Sequence, residues 1–247
     1  MRYLEFLHMT APSHAPVLKG ISSKATQAVL VELSQMYRTQ SGVHVEIESV
    51  GGVDAAKRVQ AGEAFDLVLL ASDAIDRLVN SGHLIAGSRH DWVDSPVAVA
   101  VPSGVPLPSI TNEAELRQAV IDAPTLSYST GPSGAYLEKL FARWGLMDTL
   151  QARIVVPPPG TPVGALVAQG KAALGFQQLS ELIALPAIQV VGCLPDDVAY
   201  ITTFSAGIPI ALADQTDRQH AAQAFLTFLS HADAKPIKQR HGMDWTR

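Results

Sequence analysis

Two hydrophobic periods alternate along this chain, and the switches between them mark its elements. Ala15–Ser22 predicts a first strand, ending at Ile21-Ser22-Ser23. Ala28, Val29, Val31, Leu33, Met36 and Tyr37 then recur at helical spacing until Gly42. Val43, Val45 and Ile47 alternate over Val43–Ser49, the pattern of a half-buried strand. That strand ends in Ser49-Val50-Gly51-Gly52, and a helix through Ala56, Val59 and Gln60 runs to Gly62. Asp66–Ala71 is a nearly unbroken apolar run of the buried parallel type, and Ser72-Asp73 cap a helix that stops at Ser81-Gly82. Strand–helix units in succession predict a doubly wound α/β layout, with ligands beyond the carboxyl ends of the strands.

Pro96–Val101 reads as a strand whose Pro-rich exit, Pro102–Pro108, crosses into a second lobe. There the pattern predicts a helix at Glu113–Val120, a strand at Thr125–Tyr128 and a helix with Tyr136, Leu137, Leu140 and Phe141 on one face. Further on, Ile154–Val156, Ala173–Phe176 and Gln189–Val191 read as strands, Val163–Gln169 as a helix, and Gln177 opens another helix. Tyr200–Leu212 is long and β-like and would carry the chain back to the first lobe, before terminal helices at Gln219–Leu229 and Ala232–Gln239. Two long crossings imply one lobe of residues 15–97 with 203–247, another of residues 98–202, a cleft between them and a hinge at the crossings.

The turn Ser129-Thr130-Gly131-Pro132-Ser133-Gly134 lies between a strand and a helix. Such a junction leaves backbone N–H groups unpaired at the positive end of the helix dipole, a ready seat for an anion. An ordinary βα turn has the same composition, but similar Ser- and Gly-rich turns close the other strands too. The net charge of −5 and pI near 5.9 argue against nucleic acid or an anionic membrane as partner. An anion would therefore be held by local dipoles and one or two cations. Cys193 stands alone, so no internal disulfide or cysteine–zinc cluster is expected, and the eight histidines show no metal-ligand spacing. No metal or cofactor is expected. Met1–Met9 lacks the form of a secretory signal, and no apolar run is long enough to span a membrane.

Several segments together resemble a known family. They are the Ile21–Ser23 turn, Gln60–Leu67, Pro132–Tyr136, and Val167–Gly170 followed by Ala173–Phe176. They look like the type II periplasmic solute-binding proteins of the molybdate-binding kind, in the divergent branch that includes aconitate isomerase. The resemblance covers roughly Val17–Leu229 and implies two lobes, a small anion in the cleft and delivery to a membrane permease of an ABC importer. Periplasmic location is implied if a leader was removed, and cytoplasmic location otherwise. The departures concern the ligand. Gly51-Gly52 stand where molybdate binders carry serines, Gln178 where a tyrosine contributes, and Ala25 where a ligand serine aligns. Fewer hydroxyls favour a planar carboxylate over a tetrahedral oxyanion such as molybdate or sulfate, because amides can donate to one carboxylate oxygen and accept from a hydroxyl.

The candidate ligand contacts are Ser22, Ser23, Lys24, Gly51, Gly52, Ser72, Ser129, Thr130, Gly131, Ser133, Gly134, Thr161, Gln177 and Gln178. Lys24 is either a solvated lysine or a cation for a ligand carboxylate, able to shuttle a proton if burial lowers its pKa. Glu181 is either a first-turn carboxylate serving the dipole of its helix or the base of an allylic proton shift. Asp66 and Asp73 read as strand-edge or capping residues, Arg89 and His90 as a solvated loop or a cleft rim, and Tyr128 and Tyr136 as core. Two functions follow: a solute-binding protein for a di- or tricarboxylate, or an isomerase of an unsaturated polycarboxylate built on the same shell.

Overall fold

The computed structural model describes residues 17–244. Ala15 and Pro16 of the expected first strand, and Met1–Met9, lie outside the described residues. Strands β1 (Val17–Ser23), β2 (His44–Val50) and β3 (Leu67–Ala71) alternate with helices α1 (Gln27–Ser41), α2 (Gly52–Gln60) and α3 (Ser72–Asn80). β1 pairs in parallel with both β2 and β3. Gly42 ends α1 in the left-handed conformation, φ 75°, which a side chain would resist.

Beyond them come β4 (His90–Pro102), α4 (Glu113–Asp122), β5 (Leu126–Tyr128), α5 (Pro132–Arg143), α6 (Met147–Leu150), α7 (Val163–Ala168), β6 (Leu174–Gln178) and α8 (Leu179–Leu182). The chain closes with β7 (Ile188–Cys193), β8 (Ile201–Gly207), α9 (Thr216–Leu229) and α10 (Lys235–Arg240). The strand order is β2-β1-β3-β8-β4-β6-β5, with β7 also on β4. The sheet is mixed: β8 runs antiparallel to β3 and β4, and β4 antiparallel to β6 and β7.

β4 and β8 build the two-lobed, type II architecture. The first half of β4 pairs β8 as far as Pro96↔Ile201, and its second half pairs β6 from Val97↔Gln178 onward. Each lobe has its own core. Val29, Leu33, Leu69, Trp92 and Phe225 pack in the first, while Leu116, Leu126, Phe141 and Phe176 pack in the second.

Three local expectations change. Ile154–Val156 is not a strand: Ile154 makes one isolated bridge to Leu126, and Pro157–Pro159 ends any ladder there. Gln177 and Gln178 complete β6 rather than opening a helix. Ser72 is the first residue of α3, whose cap position is Ala71, so no side chain caps that helix.

Candidate functional site

The strand register places the two lobes' carboxyl ends face to face. In lobe 1, Ser23 lies beside Val50, Ser22 beside Leu69, and Ala71 beside Phe204, which in turn pairs with Val93 of β4. In lobe 2, Tyr128 lies beside Phe176, and Gln178 pairs with Val97 of the same β4. Val93 and Val97 are four residues apart on one strand, or roughly 13 Å at about 3.3 Å per residue. That gap suits a small ligand with its contacts.

Lobe 1 contributes Ser23, Lys24, Gly51, Gly52 and Ser72 to this edge. Ser23 is buried and its Oγ has no partner among the described residues. A Cβ placed on Gly52 would meet the Ser23 Cβ at 3.8 Å, so the head of α2 stands beside that hydroxyl. Ser22 leaves the expected ligand set. It is fully buried, its Oγ lies 2.7 Å from the Ser49 hydroxyl, and it donates to the Ser23 carbonyl, so it serves strand pairing.

Lobe 2 contributes Ser129, Thr130, Gly131, Ser133, Gly134, Thr161, Gln177 and Glu181. The first i→i−4 bond of α5 runs from Ala135 N–H to the Gly131 carbonyl at 3.1 Å, which leaves the Ser133 and Gly134 amides ahead of it. Ser129 and Ser133 hydroxyls pair at 2.8 Å across the turn. A Cβ on Gly134 would fall 1.6 Å from the Ser129 carbonyl oxygen, so only glycine lets the helix close on its own turn. Behind this turn a cavity of about 160 Å³ is bordered by Tyr128, Thr130 and Glu138. Its carboxylate makes it a poor anion seat.

The helix heads at this edge share a trait. No side chain caps α2, α3 or α5, which is true of every described α-helix except α4, where the Asn112 side chain accepts from Glu115 N–H at 3.0 Å. α2 and α3 carry Asp54 and Asp73 in their first turns, but α5 carries no acid there. Of the three, the α5 head has the least internal competition for an external anion.

Consecutive strand residues face opposite ways, and the two glutamines separate accordingly. Gln177 accepts from the Gly164 N–H at 2.9 Å in the first turn of α7 and donates to Glu181 Oε1 at 2.7 Å. Gln178 points its amide into the hinge. With its nitrogen toward β4 it donates to the Ser95 carbonyl at 2.9 Å and accepts from the Thr202 hydroxyl at 2.7 Å. Its amide is thus occupied between the crossing strands, which removes it from the ligand set.

Glu181 is partly buried, and desolvation pushes its carboxyl up to about 7, against the opposing pull of the Gln177 amide and the Lys24 charge. Lys24, exposed at the end of β1, is therefore the cation that Glu181 senses from the other lobe. A hydrogen bond between lobes runs from the Ser180 hydroxyl to the Ala25 carbonyl at 2.8 Å.

Sequence reasoning missed Ser180, and it missed Tyr200. Tyr200 stacks on Tyr136 with centroids 4.5 Å apart, and its hydroxyl pKa is raised by burial, with Asp73 adding to the shift. The signal for Glu181 was available: a carboxylate four residues after a buried strand-end amide.

Asp66, Arg89 and His90 are engaged within the scaffold. Asp66 accepts from the Lys19 N–H and from both Nε and Nη2 of Arg218. Arg89 pairs with Asp76 and Asp91. The His90 ring lies 2.6 Å from the Ser230 hydroxyl. Among the described residues, no group of three His, Cys, Asp or Glu side chains is placed to hold a metal ion, and no helix is long and apolar enough to cross a membrane.

Comparison with known proteins agrees with this fold. An aconitate isomerase from Pseudomonas sp is 35% identical over 241 residues, covering 95% of this chain and 90% of that protein. The periplasmic molybdate-binding protein of Azotobacter vinelandii superposes with a TM-score of 0.74 at 21% identity, covering 93% of this chain and 100% of that one. The sulfate-binding protein SubI of Mycobacterium tuberculosis gives 0.75 at 16% identity, covering 93% and 86%. At these identities the two solved structures speak for the fold. The family model described as bacterial extracellular solute-binding protein matches residues 18–244, and the chain belongs to that family.

Proposed function

We propose that this protein closes on a small unsaturated polycarboxylate, of which aconitate is the type, and isomerises it by an allylic proton shift. The observation that carries the reading is Glu181, a carboxyl whose pKa desolvation raises to about 7 within the field of Lys24 at the end of β1. A base of that pKa is half ionised at neutral pH and can both take and return a proton. The 35% identity to an aconitate isomerase along nearly the whole chain supports the same assignment.

In the proposed reaction the ionised Glu181 removes a proton from the methylene carbon next to the double bond. The C–H electron pair delocalises through the alkene into a carboxylate, giving an enolate-like anion. The same carboxylic acid returns the proton to the distal alkene carbon, so the double bond moves by one position and no other reactant is consumed. Lys24 and the Ser133 and Gly134 amides hold the carboxylates that take up the developing charge. Ser23 donates to a carboxylate oxygen. Gly51, Gly52, Ser72, Ser129, Thr130, Gly131 and Thr161 complete the backbone and hydroxyl donors. Among the described residues lobe 1 takes 17–97 and 203–244, lobe 2 takes 98–202, and closure bends β4 and β8 where they cross.

A second reading is favoured by the family match: the protein binds a di- or tricarboxylate in the periplasm and delivers it to the permease of an ABC importer. One experiment separates the two. The protein is incubated with cis- or trans-aconitate in deuterated buffer, and the proton spectrum is followed. Interconversion or loss of the exchangeable carbon-bound proton signal, abolished by Glu181→Gln, supports the isomerase. Saturable binding with neither change supports delivery. A thermal shift with molybdate or sulfate and none with carboxylates refutes both, since a ligand at 100 times its Kd stabilises by about 2.7 kcal/mol.

A further inference from the structure

We infer that Ser180 and Gly242 are positioning residues that clamp α8 to lobe 1 and so keep Glu181 beside Lys24 whether or not a ligand is bound. The role of Glu181 as base rests on the reading above; the clamp does not.

By chain order α8 belongs to lobe 2, since it follows β6 directly. Two contacts tie it to the other lobe. On one side the buried Ser180 hydroxyl donates to the Ala25 carbonyl at 2.8 Å, in the single turn of 3₁₀ helix that begins with Lys24. On the other side the C-terminal turn presses against the helix. Gly242 has φ 70°, and a Cβ there would lie 2.8 Å from Leu179 Cγ and 3.5 Å from Ile183 Cδ1.

That turn is itself anchored on lobe 1. The buried Lys238 ammonium donates to the Trp92 carbonyl and lies 3.2 Å from Asp244 Oδ2, while Asp244 N–H donates to the Asp94 carbonyl at 2.8 Å. A helix of one turn has little stability of its own. Its Leu179 and Leu182 cluster with Ala98 and Ala100 in the lobe 2 half of β4, and the two contacts fasten that same helix to the turn after β1 and to the C-terminal turn of lobe 1. Glu181, the third residue of α8, is thus held from lobe 2 by Gln177 and from lobe 1 through Ser180, which keeps it within reach of Lys24.

The test is a carbon-13 carboxyl titration of the ligand-free, glutamate-labelled protein, with the Glu181 signal assigned by its loss in Glu181→Gln. The wild-type midpoint is expected near 7. Ser180→Ala frees one side of α8 and admits water to the carboxyl, so the midpoint falls by about half a unit or more toward the ordinary glutamate range. Ser180→Thr, which keeps the hydroxyl, restores the wild-type midpoint. Gly242→Ala produces the same fall if it folds, and Ser180→Ala alone decides if it does not. A Ser180→Ala midpoint equal to wild type, in protein with an unchanged circular dichroism spectrum, overturns the clamp. Where the wild type turns over aconitate, Ser180→Ala lowers kcat with KM little changed, because the base is displaced while the ligand amides are intact. A wild type without turnover refutes the isomerase reading and leaves the titration to judge the clamp.

Discussion

The elevated Glu181 pKa makes a signed prediction about stability. The folded protein holds this proton up to about pH 7, whereas an ordinary glutamate releases it near 4.5. Between those two values the folded state binds more protons than the unfolded state, so stability falls as pH rises through the window and levels off above it. A shift of that size corresponds to about 3 kcal/mol at roughly 1.4 kcal/mol per unit. Because the side chain is only partly buried, solvent screening reduces the expected value to about 1–3 kcal/mol.

Glu181→Gln removes the titration while keeping an oxygen for the Gln177 amide. Thermal melts of wild type and variant, ligand-free, from pH 4.5 to 8.5 isolate this group, because every other carboxylate cancels in the difference. At pH 4.5 the two should melt together. At pH 8 the variant should melt higher by about 2–12 °C, at roughly 2–4 °C per kcal/mol for a chain of this size. A flat difference curve would mean that Glu181 ionises as freely as an exposed glutamate, and the assignment of a near-neutral base would fall with it.

Other substitutions separate scaffold from site. Gly134→Ala places a Cβ against the Ser129 carbonyl and should destabilise by about 3 kcal/mol or more in denaturant melts, with ligand affinity falling too. Gly52→Ala meets only ordinary contact and should keep or slightly raise stability, while weakening ligand binding measured by calorimetry. Lys24→Met should weaken carboxylate binding about tenfold or more and move the Glu181 midpoint further up, since it removes a charge that lowers it. Asp66→Asn disrupts the Arg218 fork and should lower stability by about 1–3 kcal/mol in the same melts, with ligand affinity unchanged.

The parallel half of lobe 1 was legible because β3 is a continuous apolar run and Gly42 and Gly82 punctuate the helices. The start of β4 was not. His90–Ser95 pairs with β8 across an irregular register, and its Asp91 and Asp94 accept from Ser205 and Thr203, so a polar stretch hides a strand. α6 has too few residues to show a period. Ile154–Val156 looked like a strand because its residues are β-branched, and the prolines that follow deny it a ladder.

The site divides along the same line between local and long-range information. The head of α5 is written in one contiguous turn, where glycine, proline and hydroxyls state their purpose at short range. The separation of Gln177 from Gln178 also lay within reach, since adjacent strand residues must face apart. Ser180 did not, because its partner at Ala25 stands 155 positions away and nothing in either neighbourhood advertises the pairing. Glu181 lies between these cases: its spacing from Gln177 is local, but its raised pKa depends on burial among elements from both lobes. The donors for an anion can thus be read from short segments, whereas a base tuned to neutrality requires the assembled fold. A polycarboxylate binder needs only the first, and an isomerase needs both. On the proposed reading the two kinds of group meet along facing strand ends, which is why the Glu181 titration discriminates between the readings more sharply than any inventory of hydroxyls.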